Sequence, residues 1–558
     1  MTGQFKTMDY ILSAIIALCF VLRLHLIFVY EINWDEFLNL SMVHDFLRGD
    51  LKEPLQTIFI HAFRWLPNMS GNEVDQVIAG RVIVYLMGIG TALFIYLVSR
   101  RFMGIGAALF AVLSYISYTF VIRQGMSFRT DPMSTFLLMG AIWALVCHSG
   151  RMAFAILAGA FIGLAGLVTI KSIFYVPVIG TILLAQIYFS ENRARIFMFA
   201  AVATVTAIVS FVLLYLLHYN TLGSPSSVLA FLDRTTSKTL GERDFTIAKQ
   251  TFATGLIYNP VFWIAAAIGL LASIKKIGGE IGANRRDAII TASLALPLLS
   301  LFIYTESYVY FYTFLLAPVA VLCGIGFARL SDDIGRKVGF IAVIFLGIGF
   351  ASQYVQALKR TNDYQREIVD VVHKAFPEPV PYIDRTSMIS SYPKKGIFMS
   401  SWGMADYYLK DERIMRGILE NDRPPFLIAN RRMLELERLG PDEYGAKHFG
   451  FFKEDRDVLQ NNYVRHWGPI FVAGKHFKMG NGEQSAEFEI LVAGSYQLLS
   501  ADAAIVDGKT IEPGGTVNLR QGKHQIDTRS AGDYGLRWGH NLYKPSGKAP
   551  EKAVFTDF

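Results

Sequence analysis

The chain has 558 residues, 53% of them apolar and only 18% charged, and its mean hydropathy is positive, which excludes an ordinary soluble protein. The net charge of +7 calls for no nucleic-acid partner, because much of it lies in short loops between apolar segments. Cys19, Cys147 and Cys323 all fall inside apolar segments, so they supply neither a disulfide framework nor metal-ligand spacing.

Windows of about 20 apolar residues, enough to cross a bilayer, predict eleven spans near 9–30, 80–99, 103–122, 131–148, 152–169, 173–189, 196–218, 255–274, 287–304, 308–328 and 338–356. The start, Met1-Thr2-Gly3-Gln4-Phe5-Lys6, runs into the first span without a small-residue cleavage pattern and reads as a retained helix. Arg100-Arg101, Arg151, Arg193/Arg195, Lys275-Lys276 with Arg285-Arg286, and Arg329 with Arg336-Lys337 occupy alternate loops. The positive-inside bias makes those loops and the N-terminus cytoplasmic. An odd number of spans then puts residues 358–558 on the far side, with the loop that follows the first span.

That loop opens on Glu31-Ile32-Asn33-Trp34-Asp35-Glu36-Phe37, two adjacent carboxylates where the chain leaves the membrane. The plain explanation is a helix start or a membrane boundary; the sharper one is a catalytic acid. Further on, Leu55, Ile58, Phe59, Ala62, Phe63 and Leu66 recur at helical spacing, which predicts an interfacial helix with His61 and Arg64 on its other flank. A second far-side loop, 219–254, mixes Val228, Leu229, Phe231 and Leu232 with Arg234, Lys238 and Arg243. Gly159, Gly163 and Gly166 allow close helix packing. Gly88-Ile89-Gly90 and Gly324-Ile325-Gly326 lie within apolar spans with no preceding strand and are not nucleotide fingerprints.

Past residue 358 the composition becomes that of a soluble region. Strands are expected at Ile397–Met399, Pro425–Ala429 and around Val472, and helices at Ala405–Leu419 and Arg431–Leu439. From Glu487 to Leu498 and Ala504 to Asp527 apolar and polar residues alternate, broken by Asp507-Gly508 and Gly514-Gly515, the pattern of a small all-β module. The expected organisation is a polytopic α-helical membrane domain over 1–357, an α/β domain over 358–482 and a β module over 483–558. Glycan binding by that module and a plain structural role are equally open.

Ser127-Phe128-Arg129-Thr130-Asp131-Pro132-Met133 opens the fourth span on the same side as Asp35, and capping alone would account for Asp131 beside a proline. Lys171, between the fifth and sixth spans, is either an interfacial snorkel or a phosphate contact. Arg81, Arg123, Arg129 and Tyr304-Thr305-Glu306 fall at the same boundary. Acids and bases gathered at one level suit an anionic, membrane-dissolved substrate.

Trp34-Asp35-Glu36, Arg81 before Tyr85-Leu86-Met87-Gly88, Arg100-Arg101-Phe102-Met103-Gly104, Thr130-Asp131-Pro132-Met133 and Gly163-Leu164-Ala165-Gly166-Leu167 leading to Lys171 resemble the GT-C membrane glycosyltransferases. Within them the chain is similar to the protein O-mannosyltransferase and aminoarabinose-transferase group. The resemblance covers about residues 9–190 and weakens to 356. It implies transfer of a sugar from a polyprenyl-phosphate carrier to a hydroxyl at the periplasmic face of a bacterial inner membrane, and one base without a protein nucleophile predicts inversion. The acceptor would be a cell-envelope glycan or glycolipid (lipopolysaccharide core or lipid A), or a protein.

By the resemblance Asp35, with Glu36 beside it, and Asp131 are the acids of the site. Lys171, Arg81, Arg129, Arg64 and His61 are expected at the donor phosphate, with Glu306 and Tyr304 as further candidates. A divalent cation (magnesium, manganese or calcium) held by Asp35 and Asp131 is one way to stabilise the leaving phosphate. The aminoarabinose branch has a lysine before Pro-Pro in its first loop, where this chain reads Glu53-Pro54-Leu55-Gln56. Other classes fit less well. A transporter or flippase wants ionisable groups at mid-span, a polysaccharide polymerase or ligase wants Arg-rich outer loops, and a scaffold has no need of eleven spans.

Overall fold

The computed structural model describes residues 2–227, 245–437, 450–482 and 484–556. It divides into two compact units: Met1–Tyr30, Asp45–Leu66 and Ile78–Arg360 form the first, and Glu31–His44, Pro67–Val77 and Thr361–Phe558 the second.

The first unit is helical. Its elements are α1 (Thr2–Val29), α3 (Ile60–Phe63), α4 (Glu73–Arg100, whose first turn belongs to the second unit), α5 (Ile105–Ile116), α6 (Thr119–Gln124), α7 (Thr130–Cys147), α8 (Met152–Val168), α9 (Val176–Phe189), α10 (Arg193–Tyr219), α11 (Thr246–Tyr258), α12 (Pro260–Gly279), α13 (Gly282–Ser293), α14 (Phe311–Asp333) and α15 (Arg336–Ala357). Among the described residues, eight helical stretches are long and apolar enough to cross a membrane, and α5 and α8 are shorter apolar helices. Each predicted span meets helix, but several are interrupted. Pro260 starts α12 where the 255–274 window continued through Asn259, because proline suits a helix's first turn and not its interior. The 287–304 window divides into α13 and a 3₁₀ stretch, Leu296–Phe302, that contains Pro297.

Small residues set the closest approaches. A Cβ on Gly159 or Gly163 of α8 would collide with the backbone carbonyls of Ala203 and Ala207 in α10. Gly326 in α14 meets the Ala265 carbonyl of α12 in the same way, so the Gly324–Gly326 pair serves packing. The amphipathic helix expected over 55–66 is shorter than its pattern. Only Ile60–Phe63 is α-helical, and Pro67 sits within a following 3₁₀ turn, Leu66–Asn68. Its apolar residues Phe59, Phe63 and Leu66 are nonetheless buried. Val228, Leu229, Phe231, Leu232, Arg234, Lys238 and Arg243, expected in the second far-side loop, lie outside the described residues.

Among its described residues the second unit holds α2 (Trp34–Arg48, its last turn in the first unit), α16 (Asp363–Ala375), α17 (Ser401–Lys410), α18 (Met415–Asn421), α19 (Lys453–Asn462) and the strands β1 (Tyr382–Ile383), β2 (Lys394–Lys395), β3 (Phe426–Ile428), β4 (Tyr463–Trp467), β5 (Ile470–Met479), β6 (Gln484–Ile490), β7 (Gly494–Leu499), β8 (Ala504–Val506), β9 (Lys509–Ile511), β10 (Thr516–Leu519), β11 (Gly522–Thr528) and β12 (Gly532–Trp538). One sheet runs β10-β7-β12-β5-β3-β1-β2 with β4 also on β5, and β6-β11-β8-β9 form another. The long β5 (Ile470–Met479) pairs with β3 (Phe426–Ile428) and with β12, so the first sheet is continuous across residue 482. The expected strand at Ile397–Met399 is absent; the pairing strand is β2 at Lys394–Lys395. The helix expected over 405–419 breaks at Asp411, which adopts φ 48° between α17 and α18. Arg432–Leu434 is a 3₁₀ turn where a helix to Leu439 was expected, and Leu439 lies outside the described residues. Asp507-Gly508, both at positive φ, turn β8 into β9 as the sequence predicted.

Two parts of the first loop pack with this unit instead of standing alone. The Gln365 side chain bonds both polar groups of Ile32, accepting from its N–H at 2.8 Å and donating to its carbonyl at 2.8 Å. Ser390 Oγ donates to the Phe37 carbonyl at 3.2 Å, and the Arg385 guanidinium lies 4.2 Å from the Trp34 ring centroid. Glu31 accepts from the backbone and hydroxyl of Thr556. In the second part, Asn72 donates to Asp370 at 2.7 Å, Asp75 pairs with Arg366 at 2.5 Å, and Glu73 accepts from His373 at 2.9 Å.

Candidate active site

In the first unit, α7 begins after Arg129, whose extended backbone (φ −139°, ψ 161°) makes it the N-cap residue, without a side-chain capping bond. Asp131 therefore falls in the first turn, where negative charge is favoured, but its carboxylate does not cap the helix. It is 1% exposed, and Lys171 Nζ lies 2.5 Å from its Oδ1 while Arg129 Nε lies 3.7 Å from its Oδ2. Lys171 gets there because α8 ends at Val168 and the chain turns into a 3₁₀ helix, Ile170–Tyr175, whose N-cap Thr169 accepts from the Lys171 N–H. The Gln56 side-chain oxygen accepts from Thr169 Oγ1 at 3.3 Å and from the Ile170 N–H at 3.4 Å. Gln56 of the first loop thus braces the segment carrying Lys171. Ser134 and Ser172 hydroxyls, 3.0 Å apart, tie α7 to the same segment.

Aromatic rings line the group. The Arg129 guanidinium lies 3.7 Å from the Tyr310 ring centroid and Lys171 Nζ 4.7 Å from it, with Phe311 5.8 Å from Lys171. Tyr304 packs on Phe311 at 5.1 Å and lies in the field of Asp131, Glu306 and Arg129. The structure thus joins Asp131, Lys171, Arg129, Tyr304 and Glu306. Tyr310 and Phe311 were missed, although the aromatic run Tyr308-Val309-Tyr310-Phe311-Tyr312 directly after Glu306 was a readable signal.

Other candidates are placed differently. Arg81 donates to the Tyr30 carbonyl at 2.8 Å and the Ile27 carbonyl at 3.4 Å, closing the C-terminal end of α1. Arg123 donates to Gln353 at 3.0 Å. His61 bonds His218 across 2.9 Å, which in turn bonds Thr57 across 2.8 Å, and Arg64 is exposed. Asp35 and Glu36 belong to the second unit. Glu36 is fully buried and accepts from the Asn33 N–H at 3.0 Å, while the Asn33 side chain accepts from the Asp35 N–H at 2.9 Å. This reciprocal arrangement is a capping box, with Glu36 as its returning arm. Asp35 is only half-buried.

A divalent cation does not fit Asp131 as it stands, because its two oxygens face Lys171 and Arg129. Among the described residues no three carboxylate, imidazole or thiol groups gather to hold a metal. Lys171 and Arg129 bring an ammonium and a guanidinium together, the donor types that bind phosphodiester oxygens.

No family profile and no curated protein sequence matches the chain. Solved structures do. The oligosaccharyltransferase of Archaeoglobus fulgidus in the apo form aligns at TM-score 0.54 and 10% identity over 77% of this chain and 70% of that one. ArnT, the aminoarabinose transferase, from Cupriavidus metallidurans bound to undecaprenyl phosphate aligns at 0.52 and 12% over 77% and 93%. The Archaeoglobus enzyme with zinc and sulfate aligns at 0.51 and 11% over 95% and 98%. With helices of membrane-crossing length and a C-terminal sheet region, the chain has the fold of the GT-C glycosyltransferases.

Proposed function

We propose that the protein is a polyprenyl-phosphate-dependent glycosyltransferase of the GT-C type, a multi-pass protein of a bacterial inner membrane with its N-terminus cytosolic and its C-terminal unit periplasmic. The observation that carries this reading is the buried Asp131–Lys171–Arg129 group, walled by Tyr310 and Phe311, at the start of α7 on a fold whose solved examples include one bound to undecaprenyl phosphate.

The chemistry follows from the residue types. An acceptor hydroxyl attacks the anomeric carbon, the bond from that carbon to the carrier phosphate breaks, and the phosphate leaves with an added negative charge. Lys171 and Arg129 meet that charge in a water-poor setting, where fixed cations act most strongly. Asp131 holds the two cations in place. We assign the acceptor's proton to Asp35 as general base. Glu36, committed to its capping box, orients the helix turn that carries Asp35. With one base and no protein nucleophile, the transfer is a single displacement with inversion. The acceptor is a hydroxyl of a cell-envelope glycan or glycolipid, lipopolysaccharide core or lipid A. No step here runs through a metal.

The test incubates purified protein with a panel of labelled polyprenyl-phosphate sugars and envelope glycolipids. Consumption of one donor, with label appearing on an acceptor, is expected. Movement of intact donor across a proteoliposome membrane without consumption would replace this reading with a flippase.

A further inference from the structure

A cavity of about 210 Å³ opens at the end of α7 remote from Asp131. Cys147 in its wall stands 16 residues beyond Asp131, about 24 Å along the axis at 1.5 Å per residue. That approaches the thickness of a bilayer's hydrocarbon core, so the cavity falls at the headgroup level of the opposite leaflet. Arg101, Cys147, Ser149, Gln186, Arg286 and Asp287 contribute to its lining. The volume exceeds what one tetrahedral oxyanion needs, being on the order of seven waters at about 30 Å³ each.

Its charge is not balanced internally. Arg101 NH1 lies 3.1 Å from Asp287 Oδ2, and Arg286 NH2 lies 3.0 Å from Asp287 Oδ1. One carboxylate therefore serves two guanidiniums and leaves one net positive charge. Each guanidinium has five N–H donors; two from Arg101 and two from Arg286 reach Asp287. Among the described residues the remaining donors bond no other acceptor. The buried Gln186 accepts from the Ser149 hydroxyl at 2.9 Å and donates to the Leu145 carbonyl at 2.8 Å, which fixes a polar wall.

We propose that this cavity binds a phosphate group, supplied by an anionic lipid headgroup of the leaflet opposite the transfer site. Paired guanidiniums match tetrahedral oxyanions in geometry as well as charge. A phosphate seated here would tie the α4–α5 connection to the ends of α7, α9 and α13. The site is separate from the donor-phosphate group, and the inference stands whether or not the proposed transfer is correct.

Cys147 supplies the reporter, because Cys19 and Cys323 are buried and Cys147 is partly exposed. Labelling of full-length protein by N-ethylmaleimide would be followed in phosphatidylcholine bilayers, in bilayers containing phosphatidylglycerol, and in phosphatidylcholine with added inorganic phosphate. Phosphatidylglycerol should slow Cys147 labelling about fourfold, as expected when three sites in four are filled, and R101Q and R286Q should each abolish that protection. Protection by inorganic phosphate alone would keep the phosphate site but move its source to solution. Equal rates in all three media, or protection that persists in both variants, would overturn the proposal. The variants' labelling rates in phosphatidylcholine, expected to match the parent protein, show that they fold.

Discussion

Among the helices that carry an acid in the first turn, α2 and α7 use it in opposite ways. At the start of α2 the acid turns inward on its own helix: Glu36 bonds the Asn33 N–H, and Asn33 bonds the Asp35 N–H. At the start of α7 the acid turns away, and Asp131 spends its charge on Arg129 and on Lys171, 40 residues further along. The first arrangement is local and could be written in any soluble protein. The second demands a tertiary contact, and it holds a buried cation pair. A capping acid stabilises a helix; a paired acid holds cations ready for another anion.

This contrast gives the largest expected effects. Asp35→Asn should reduce transfer roughly 10³-fold, within the range usual for a lost general base, while expression and the fold persist; a fully active variant would remove Asp35 from the chemistry. Lys171→Met should cost roughly 10²-fold, the scale of one lost electrostatic contact to a transition state. Asp131→Asn removes the charge that both Lys171 and Arg129 face, a change that also threatens folding. The informative comparison is therefore Asp131→Asn against Asp131→Asn/Lys171→Met. The double variant should recover stability, measured by thermal unfolding, but not transfer. Recovery of transfer would show that Asp131 acts only as a counter-ion to Lys171.

The membrane unit was legible because spans are long and apolar and because cations cluster in alternate loops. The interruptions at Asn259-Pro260 and Pro297 were written in the sequence too, but a hydropathy window averages over a single proline. At the site, Asp131, Lys171 and Arg129 were identifiable from their place at a span's end. Their pairing was not, since it depends on the Thr169-capped 3₁₀ turn that aims Lys171. The packing of residues 31–44 and 67–77 with the C-terminal residues was invisible for the same reason. Contacts such as Gln365 to Ile32 join positions 333 residues apart and leave no periodicity behind. His61 and Arg64 were grouped with the phosphate contacts by helix-face reasoning, but the helix is too short to present a common face, and His61 bonds His218.

Smaller effects sharpen the contrast from the α2 side. Glu36→Ala should destabilise the start of α2 by about 1 kcal/mol, the usual cost of a lost cap, seen as faster hydrogen exchange of the α2 amides. Glu36→Gln, which retains an acceptor for the Asn33 N–H, should be milder. If Glu36→Gln instead abolishes transfer without altering exchange, Glu36 is the base and Asp35 its neighbour.

The smallest effect concerns Glu73, which is fully buried and accepts from His373, from the Ser391 N–H at 3.1 Å and from the Ser391 hydroxyl at 2.5 Å. Burial opposes the His373 imidazolium, but the hydrogen bond and charge of Glu73, with Asp370 adding to them, hold its pKa above the ordinary imidazole value. A raised folded-state pKa contributes stability that is complete below the unfolded value, about 6.5, and is lost as pH rises through the folded value. The α16 amides should therefore exchange faster, once intrinsic base catalysis is corrected for, as pH climbs from about 6.5. His373→Gln, which bonds without titrating, should flatten that dependence. A His373→Gln profile as steep as the parent's would assign the pH sensitivity to other groups and leave the Glu73–His373 bond as uncharged packing.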